Sequence, residues 1–263
     1  MKPKYSIFYV AEHKQLNILW QGTLLILGLF MINAMIYSLD GRMLGDEKLW
    51  LKPMKFQISV AMHLITLAVL AAYLNPKDQQ GKPWTIWSYA VVVAGMFEVF
   101  YIFLQAARGR ESHFNLSSNI EGFMYSLMGI GALTLVATSF YLGIKLYKEY
   151  KNHPNVMLLS SALGLILGSM LTLIIAGYLS QGIEVSTKAI DTSARLPLSG
   201  WYLNGKDLRI PHFLATHMMQ LIPLYGFWLA QNNNESADNI RKVKLLTAFL
   251  SLVILGLFGI FFL

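Results

Sequence analysis

Apolar residues along this chain fall in runs of about 20 or more, separated by short polar connections. A membrane-crossing helix needs roughly 20 mostly apolar residues. Stretches of that length cover residues 17–38, 55–74, 84–107, 119–147, 156–181, 210–231 and 245–263. The pattern predicts an all-α fold, a polytopic transmembrane helix bundle of about seven spans, forming a single transmembrane domain over 1–263. Two connections are long, 39–54 and 182–209. Trp20, Trp50, Trp84, Trp87, Trp201 and Trp228 sit near the ends of runs, where interfacial aromatics belong. The first run is longer than a signal-peptide core and no small-x-small site follows, so it reads as a retained helix. An odd number of spans puts the termini on opposite faces.

Composition sharpens this picture. Of 263 residues, 55% are hydrophobic and 13% charged, against about 25% charged in a soluble domain. Mean hydropathy is +0.49. There is no cysteine, which excludes disulfides, thiolate metal sites and iron–sulfur clusters. The net charge of +7 fits basic membrane-flanking loops and points to no nucleic-acid partner. Basic residues are nearly balanced between the two faces. One face is almost all lysine; the other holds Arg42, Arg108, Arg110, Arg195 and Arg209 among acids. If those arginines serve a site, the lysine face is cytoplasmic and the N-terminus lies inside.

Ionisable groups within spans are costly and mark functional candidates. Here they are His63, Glu98, Glu121, His212 and His217. At 1.5 Å per residue, His63 lies about 12 Å past Lys55, His217 about 12 Å past Arg209, and Glu98 about 15 Å before Arg108. The expectation is one shared level in one leaflet. Glu98, Tyr101 and Gln105 share a face of their helix; so do Lys55, Ser59, His63 and Thr66, and His212, Thr216 and Gln220. These stripes predict a polar funnel, closed near the midplane. Interhelical hydrogen bonding is the plainer use of such residues.

Three segments have the look of motifs: Lys52-Pro53-x-Lys55-Phe56, Gln105-x-x-Arg108-Gly109-x-x-Ser112-His113-Phe114-Asn115, and Asp207-Leu208-Arg209-x-Pro211-His212-Phe213 followed by His217 and Gln220. Pro211 suits a first helical turn and Asp207 lies near a cap position. The segments resemble an uncharacterised family of bacterial integral membrane proteins, over about the middle two thirds of the chain. The resemblance implies a bacterial cytoplasmic (inner) membrane protein and brings no activity with it. Gly164 and Gly168 suit close helix packing, inside the protein or as a homo-oligomer contact. His212 and His217 are about 140° apart around a helix and form no one-face chelate. There is no Walker motif, dinucleotide fingerprint or His-Glu-x-x-His.

Four readings follow. The first is b-type haem binding and electron transfer. His63 and His217 would be axial ligands, Lys52, Lys55, Arg108, Arg110 and Arg209 would hold propionates, and Glu98 would carry a proton to or from a quinol or redox partner. The second is a zinc- or iron-dependent membrane hydrolase acting on a lipid or other anion. Its ligands come from His63, His217, Glu98, His212 and His113, with Glu98 the catalytic candidate. The third is a small-anion transporter or receptor, and the fourth a membrane subunit without catalysis; neither needs a cofactor.

Overall fold

The computed structural model describes residues 14–45, 47–182, 196, 200–202, 207–233 and 236–262. Arg195, Gly205 and Lys206, and the N-terminal segment on which the orientation reading draws, lie outside the described residues. The described chain runs α1 (Lys14–Leu39), a hairpin of β1 (Met43–Leu44) and β2 (Glu47–Lys48), α2 (Leu51–Ala71), α3 (Pro76–Gln79), α4 (Lys82–Ala107), α5 (Asn119–Asn152), α6 (Val156–Leu179), α7 (Arg209–Asn233) and α8 (Ala237–Ile260). In the hairpin, antiparallel, Met43 faces Lys48.

Local chemistry explains where the helices begin. Pro53, Pro76, Pro83 and Pro211 all fall in first turns, where a missing N–H forfeits no helical hydrogen bond. Asn75 accepts from Asp78 N at 3.0 Å, Asn155 from Leu158 N at 2.8 Å and Ser236 from Asn239 N at 3.3 Å. Each is a side-chain N-cap.

Six of these helices, α1, α2, α4, α5, α6 and α8, are long and apolar enough to cross a membrane. The chain is an all-α bundle of membrane-spanning character. The expected count of about seven spans is not matched among the described residues. Although 25 residues long, α7 falls short in apolarity, because Arg209, His212, Thr216, His217 and Gln220 break its apolar run. Two starts also move. Helix α2 begins at Leu51 rather than Lys55, because Pro53 belongs inside its first turn. Helix α8 begins at Ala237 rather than 245, because the Ser236 cap starts it and an Asp238–Lys242 ion pair of 2.7 Å supports the polar turns before the apolar run.

The chain divides into two compact units, Met1–Thr138 and Ser139–Leu263, the division falling within α5. In the first, α2 and α4 pack against α1 and against each other, and α3 caps the end of α4. Leu19, Ile26, Leu64, Leu67, Trp84 and Ile102 are its largest wholly buried apolar side chains. In the second, α6 packs along α7, and α8 covers both. Its core joins Val156, Leu159, Leu171 and Ile175 to Ala215, Met218 and Ile222. Leu24, Leu25, Met31 and Met35 on α1, and Leu245, Phe249 and Leu252 on α8, remain exposed. Such surfaces suit contact with acyl chains. Because lipid is as apolar as leucine, helices in it associate through close packing rather than the hydrophobic effect. Gly164 and Gly168 supply that packing here. A Cβ on Gly164 would lie 2.8 Å from Pro223 Cδ and 2.9 Å from Met218 O, and one on Gly168 would lie 2.8 Å from Met219 Cγ. The pair is therefore taken up inside the chain, against α7.

Candidate functional site

Helix α4 ends in a tight left-handed turn. Gly109 N donates to Ala106 O at 2.9 Å and Arg110 N to Gln105 O at 2.9 Å. Gly109 has φ +68°, the conformation this pair of bonds requires and one that glycine adopts without steric penalty. The turn places Arg108 and Arg110 on either side of the helix terminus. Ten residues later Ser118 caps α5, its Oγ accepting from Glu121 N at 3.2 Å. Ser118 and Glu121 have the spacing of a capping box, but the Glu121 side chain turns inward.

Glu121 is 3% exposed and is the hub of a polar knot. Tyr101 Oη donates to its Oε2 at 2.7 Å and Gln105 Nε2 donates to the same oxygen at 2.6 Å. Its Oε1 lies 3.1 Å from Arg108 Nη1 and 3.5 Å from Arg110 Nη1. Gln105 Nε2 also reaches Tyr101 Oη at 2.8 Å, and Arg108 Nη1 donates to Gln105 Oε1 at 2.9 Å. The buried carboxylate has four partners, so losing one half-exposed cation leaves it still paired, whereas losing the carboxylate leaves two cations facing each other. The arginines keep outer faces, their side chains being 42% and 55% exposed. Beside them is an open concavity of about 790 Å³, lined by Gly109–Glu111 and Phe114–Ser118 with Leu44 opposite.

The loop between α4 and α5 is held on its other side by His113. That ring packs 5.3 Å from Phe56 and 6.2 Å from Tyr125, and Ser112 Oγ lies 3.1 Å from its Nδ1. Burial, and then the positive charge of Lys52, pushes its pKa down to about 3. Phe114, next in the chain, has φ +56°, a strained backbone for a residue with a Cβ. The α1–α2 connection meets the same end of α4. Arg42 Nη1 donates to Ala107 O at 3.3 Å. Asp40 takes Arg42 at 2.8 Å and Trp50 Nε1 at 2.7 Å. These bonds, from Arg42 first and then from Trp50, hold the Asp40 carboxyl well below the usual carboxylate range. Lys55 pairs with Glu47 at 3.1 Å, half-exposed and so worth under about 1 kcal/mol.

Deeper in the first unit, His63 on α2 and Glu98 on α4 are each 7% exposed. His63 is hydrogen-bonded to the backbone of Leu135 on α5. Glu98 makes no hydrogen bond or ion pair among the described residues. In the second unit, Arg209 forks onto Asp207, with Nη2–Oδ2 at 2.6 Å and Nε–Oδ1 at 2.8 Å, and its Nη2 also reaches Gly200 O. Asp207 also accepts from Arg209 N and Tyr202 N, so it serves the helix start as its sequence position suggests. His217 Nδ1 lies 2.8 Å from Phe213 O, its ring on that of Phe213. Among the described residues, His212 Nδ1 and Gln220 Oε1 are buried without a partner.

The structure thus gathers Arg108 and Arg110 around one carboxylate and brings Lys52 and His113 together at the same end of the unit. The rest have other surroundings. Lys55 and Arg209 are each committed to their own acids. The two proposed haem ligands, His63 and His217, belong to different units. From their helix starts, His63 is about 18 Å along α2 and His217 about 12 Å along α7. Among the described residues no three His, Asp or Glu side chains stand close enough to hold a metal ion. The hub itself, Glu121, was visible in sequence as an acid at a membrane edge. Its role was not, because that depends on how the eleven-residue connection 108–118 closes. No known protein family, curated protein or solved structure matches the chain.

Proposed function

We propose that this is a multi-pass protein of the bacterial cytoplasmic membrane that binds an anionic ligand, a lipid headgroup or a small oxyanion, where α4 meets α5. In this reading α7 is a seventh span, the N-terminus is cytoplasmic, and the site faces away from the cytoplasm. One observation carries it. The half-exposed guanidinium of Arg110, held together with Arg108 by a buried carboxylate, lines a concavity that also offers Asn115, Ser117 and Ser118. Two arginines against Glu121 leave one net positive charge. Glu111 at the rim offsets it. Recognition then rests on the planar fork of arginine, which matches phosphate and carboxylate geometry, more than on a strong field. Leu44, Phe114 and Leu116 give the concavity an apolar side suited to the start of an acyl chain.

Thermal unfolding in detergent tests this directly. A ligand at 100 times its Kd adds about 2.7 kcal/mol of stability. Inorganic phosphate, or short-chain phosphatidylglycerol but not phosphatidylcholine, is expected to raise Tm. Arg110→Gln is expected to abolish the rise while leaving the unliganded Tm within a few degrees. A response to phosphatidylglycerol alone identifies a headgroup site; a response to phosphate as well identifies an oxyanion site. If neither anion stabilises the protein, or Arg110→Gln responds as fully as the parent, the reading is wrong.

A further inference from the structure

Glu98, Tyr101 and Gln105 occupy one face of α4, at i, i+3 and i+7. The knot described above is therefore the outer part of a longer polar column. Its outer end is Glu121, in contact with arginines that are half in solvent. Its middle is the Tyr101 hydroxyl, 2.7 Å from Glu121 Oε2. Its inner end is Glu98, one turn further into the helix and about 4.5 Å along its axis from Tyr101. Glu98 is 7% exposed within a helix apolar enough to span a membrane. A carboxylate there without a cation or donor is expensive, and a neutral carboxylic acid is not. A group that must hold a proton needs a way to obtain and release it.

We propose that Glu98, Tyr101 and Glu121 form a proton relay between the α4–α5 end of the first unit and the membrane interior. The phenol already donates towards Glu121. On release, the Glu98 O–H bond breaks and its proton joins the Tyr101 oxygen, while the phenolic proton passes to Glu121 Oε2. Tyr101 is neutral before and after, Glu98 becomes a carboxylate, and Glu121 becomes an acid that passes its proton to water at the concavity. Loading runs the same steps in reverse. The Tyr101 hydroxyl is bonded to Gln105 and Glu121 and not to Glu98, so in this proposal water between the Glu98 carboxyl and the phenol carries the proton across. Gln105 holds the phenol in place through its own bonds to Tyr101 Oη and Glu121. Within the first unit, titratable side chains on the helices around α4 include Tyr37 on α1, Lys52, Lys55 and His63 on α2, Lys77 and Asp78 on α3, and Tyr125 on α5. Lys55 is paired with Glu47 and His63 is bonded to the Leu135 backbone. Neither stands in the hydrogen-bonded column.

Infrared spectroscopy of the protein in lipid nanodiscs reads both halves of the proposal. Near neutral pH the parent is expected to show the carbonyl stretch of a neutral carboxylic acid, and Glu98→Gln to lack it. On transfer to heavy water this band shifts as the acid proton exchanges. Tyr101→Phe keeps the ring and removes only the relay oxygen; it is expected to slow that shift at least about tenfold. Glu121→Gln is expected to slow it likewise, by removing the outer acceptor. A parent without the band, or a band that persists in Glu98→Gln, overturns the loaded state. Exchange as fast in Tyr101→Phe as in the parent overturns the route. Should Tyr101→Phe not fold, Glu121→Gln decides by the same comparison. None of these readings depends on anion binding.

Discussion

At the residue scale, His113 and Asp40 make this protein sensitive to acid in two different ranges. The His113 ring is neutral in the fold because burial, reinforced by Lys52, pushes its pKa down to about 3. In the unfolded chain a histidine titrates near about 6.5. Below that value the unfolded state binds a proton that the folded state refuses, so stability falls as pH drops from about 6.5 towards 3. The slope is at most about 1.4 kcal/mol per pH unit. Asp40 behaves as a depressed carboxyl: its contribution is present above the unfolded carboxylate range and disappears as pH falls through and below it. Tm in detergent is therefore expected to decline between pH about 6.5 and about 5, before carboxylates of ordinary pKa protonate. In His113→Gln that upper part of the decline is expected to be shallower. A profile for His113→Gln that runs parallel to the parent over this range would count against a buried neutral imidazole.

At the element scale, much of the fold could be read from the pattern of residues. The apolar runs locate every long helix, and the failures have local causes. Pro53 lies inside the first turn of α2, so the helix starts before the lysine taken as its boundary. Charged turns of α8 precede its apolar run. The polar face of α7 lowers its apolarity below that of its neighbours. The knot was half legible. Arg108, Arg110, Glu121, Tyr101 and Gln105 were all visible at one end of the membrane, but helical periodicity says nothing about contacts across a turn. The usable signal was Arg108-Gly109-Arg110 at a helix end, followed by Ser118 and Glu121 at capping-box spacing. The small-residue signal in α6 also had two outcomes, and the choice between them needs the facing helix. Packing against α7 gives a test with opposite signs on one element. Gly164→Ala pushes a methyl into Pro223 and Met218 O, which is expected to cost about 1–3 kcal/mol. Gly177→Ala meets nothing within 4 Å and gains helix propensity of up to about 1 kcal/mol. Equal Tm values for the two variants would mean that α6 and α7 do not approach closely at Gly164.

At the scale of the whole molecule, orientation decides which compartment the site samples. The absence of cysteine makes this easy to measure. Ser117 is exposed at the rim of the concavity. A Ser117→Cys protein is expected to react with a membrane-impermeant thiol reagent in intact cells whose outer envelope is permeable to it. Reaction only after lysis would invert the proposed topology and place the anion site in the cytoplasm. Two units divided within one long helix also allow a local reading of damage. Substitutions in the knot are expected to act through the first unit, and those at Gly164 through the second.

Glu121 has one more consequence, which comes from counting valences. An ionised carboxylate has about four lone-pair directions. Here they are claimed by Tyr101, Gln105, Arg108 and Arg110. The acceptor is saturated. A proton arriving along the Tyr101 bond turns Oε2 from acceptor to donor and removes the carboxylate charge that holds both guanidiniums on Oε1. The weakest claim is the longest, Arg110 at 3.5 Å. Protonation of one buried oxygen thus releases a guanidinium at the surface, where its unclaimed charge meets whatever solute is present.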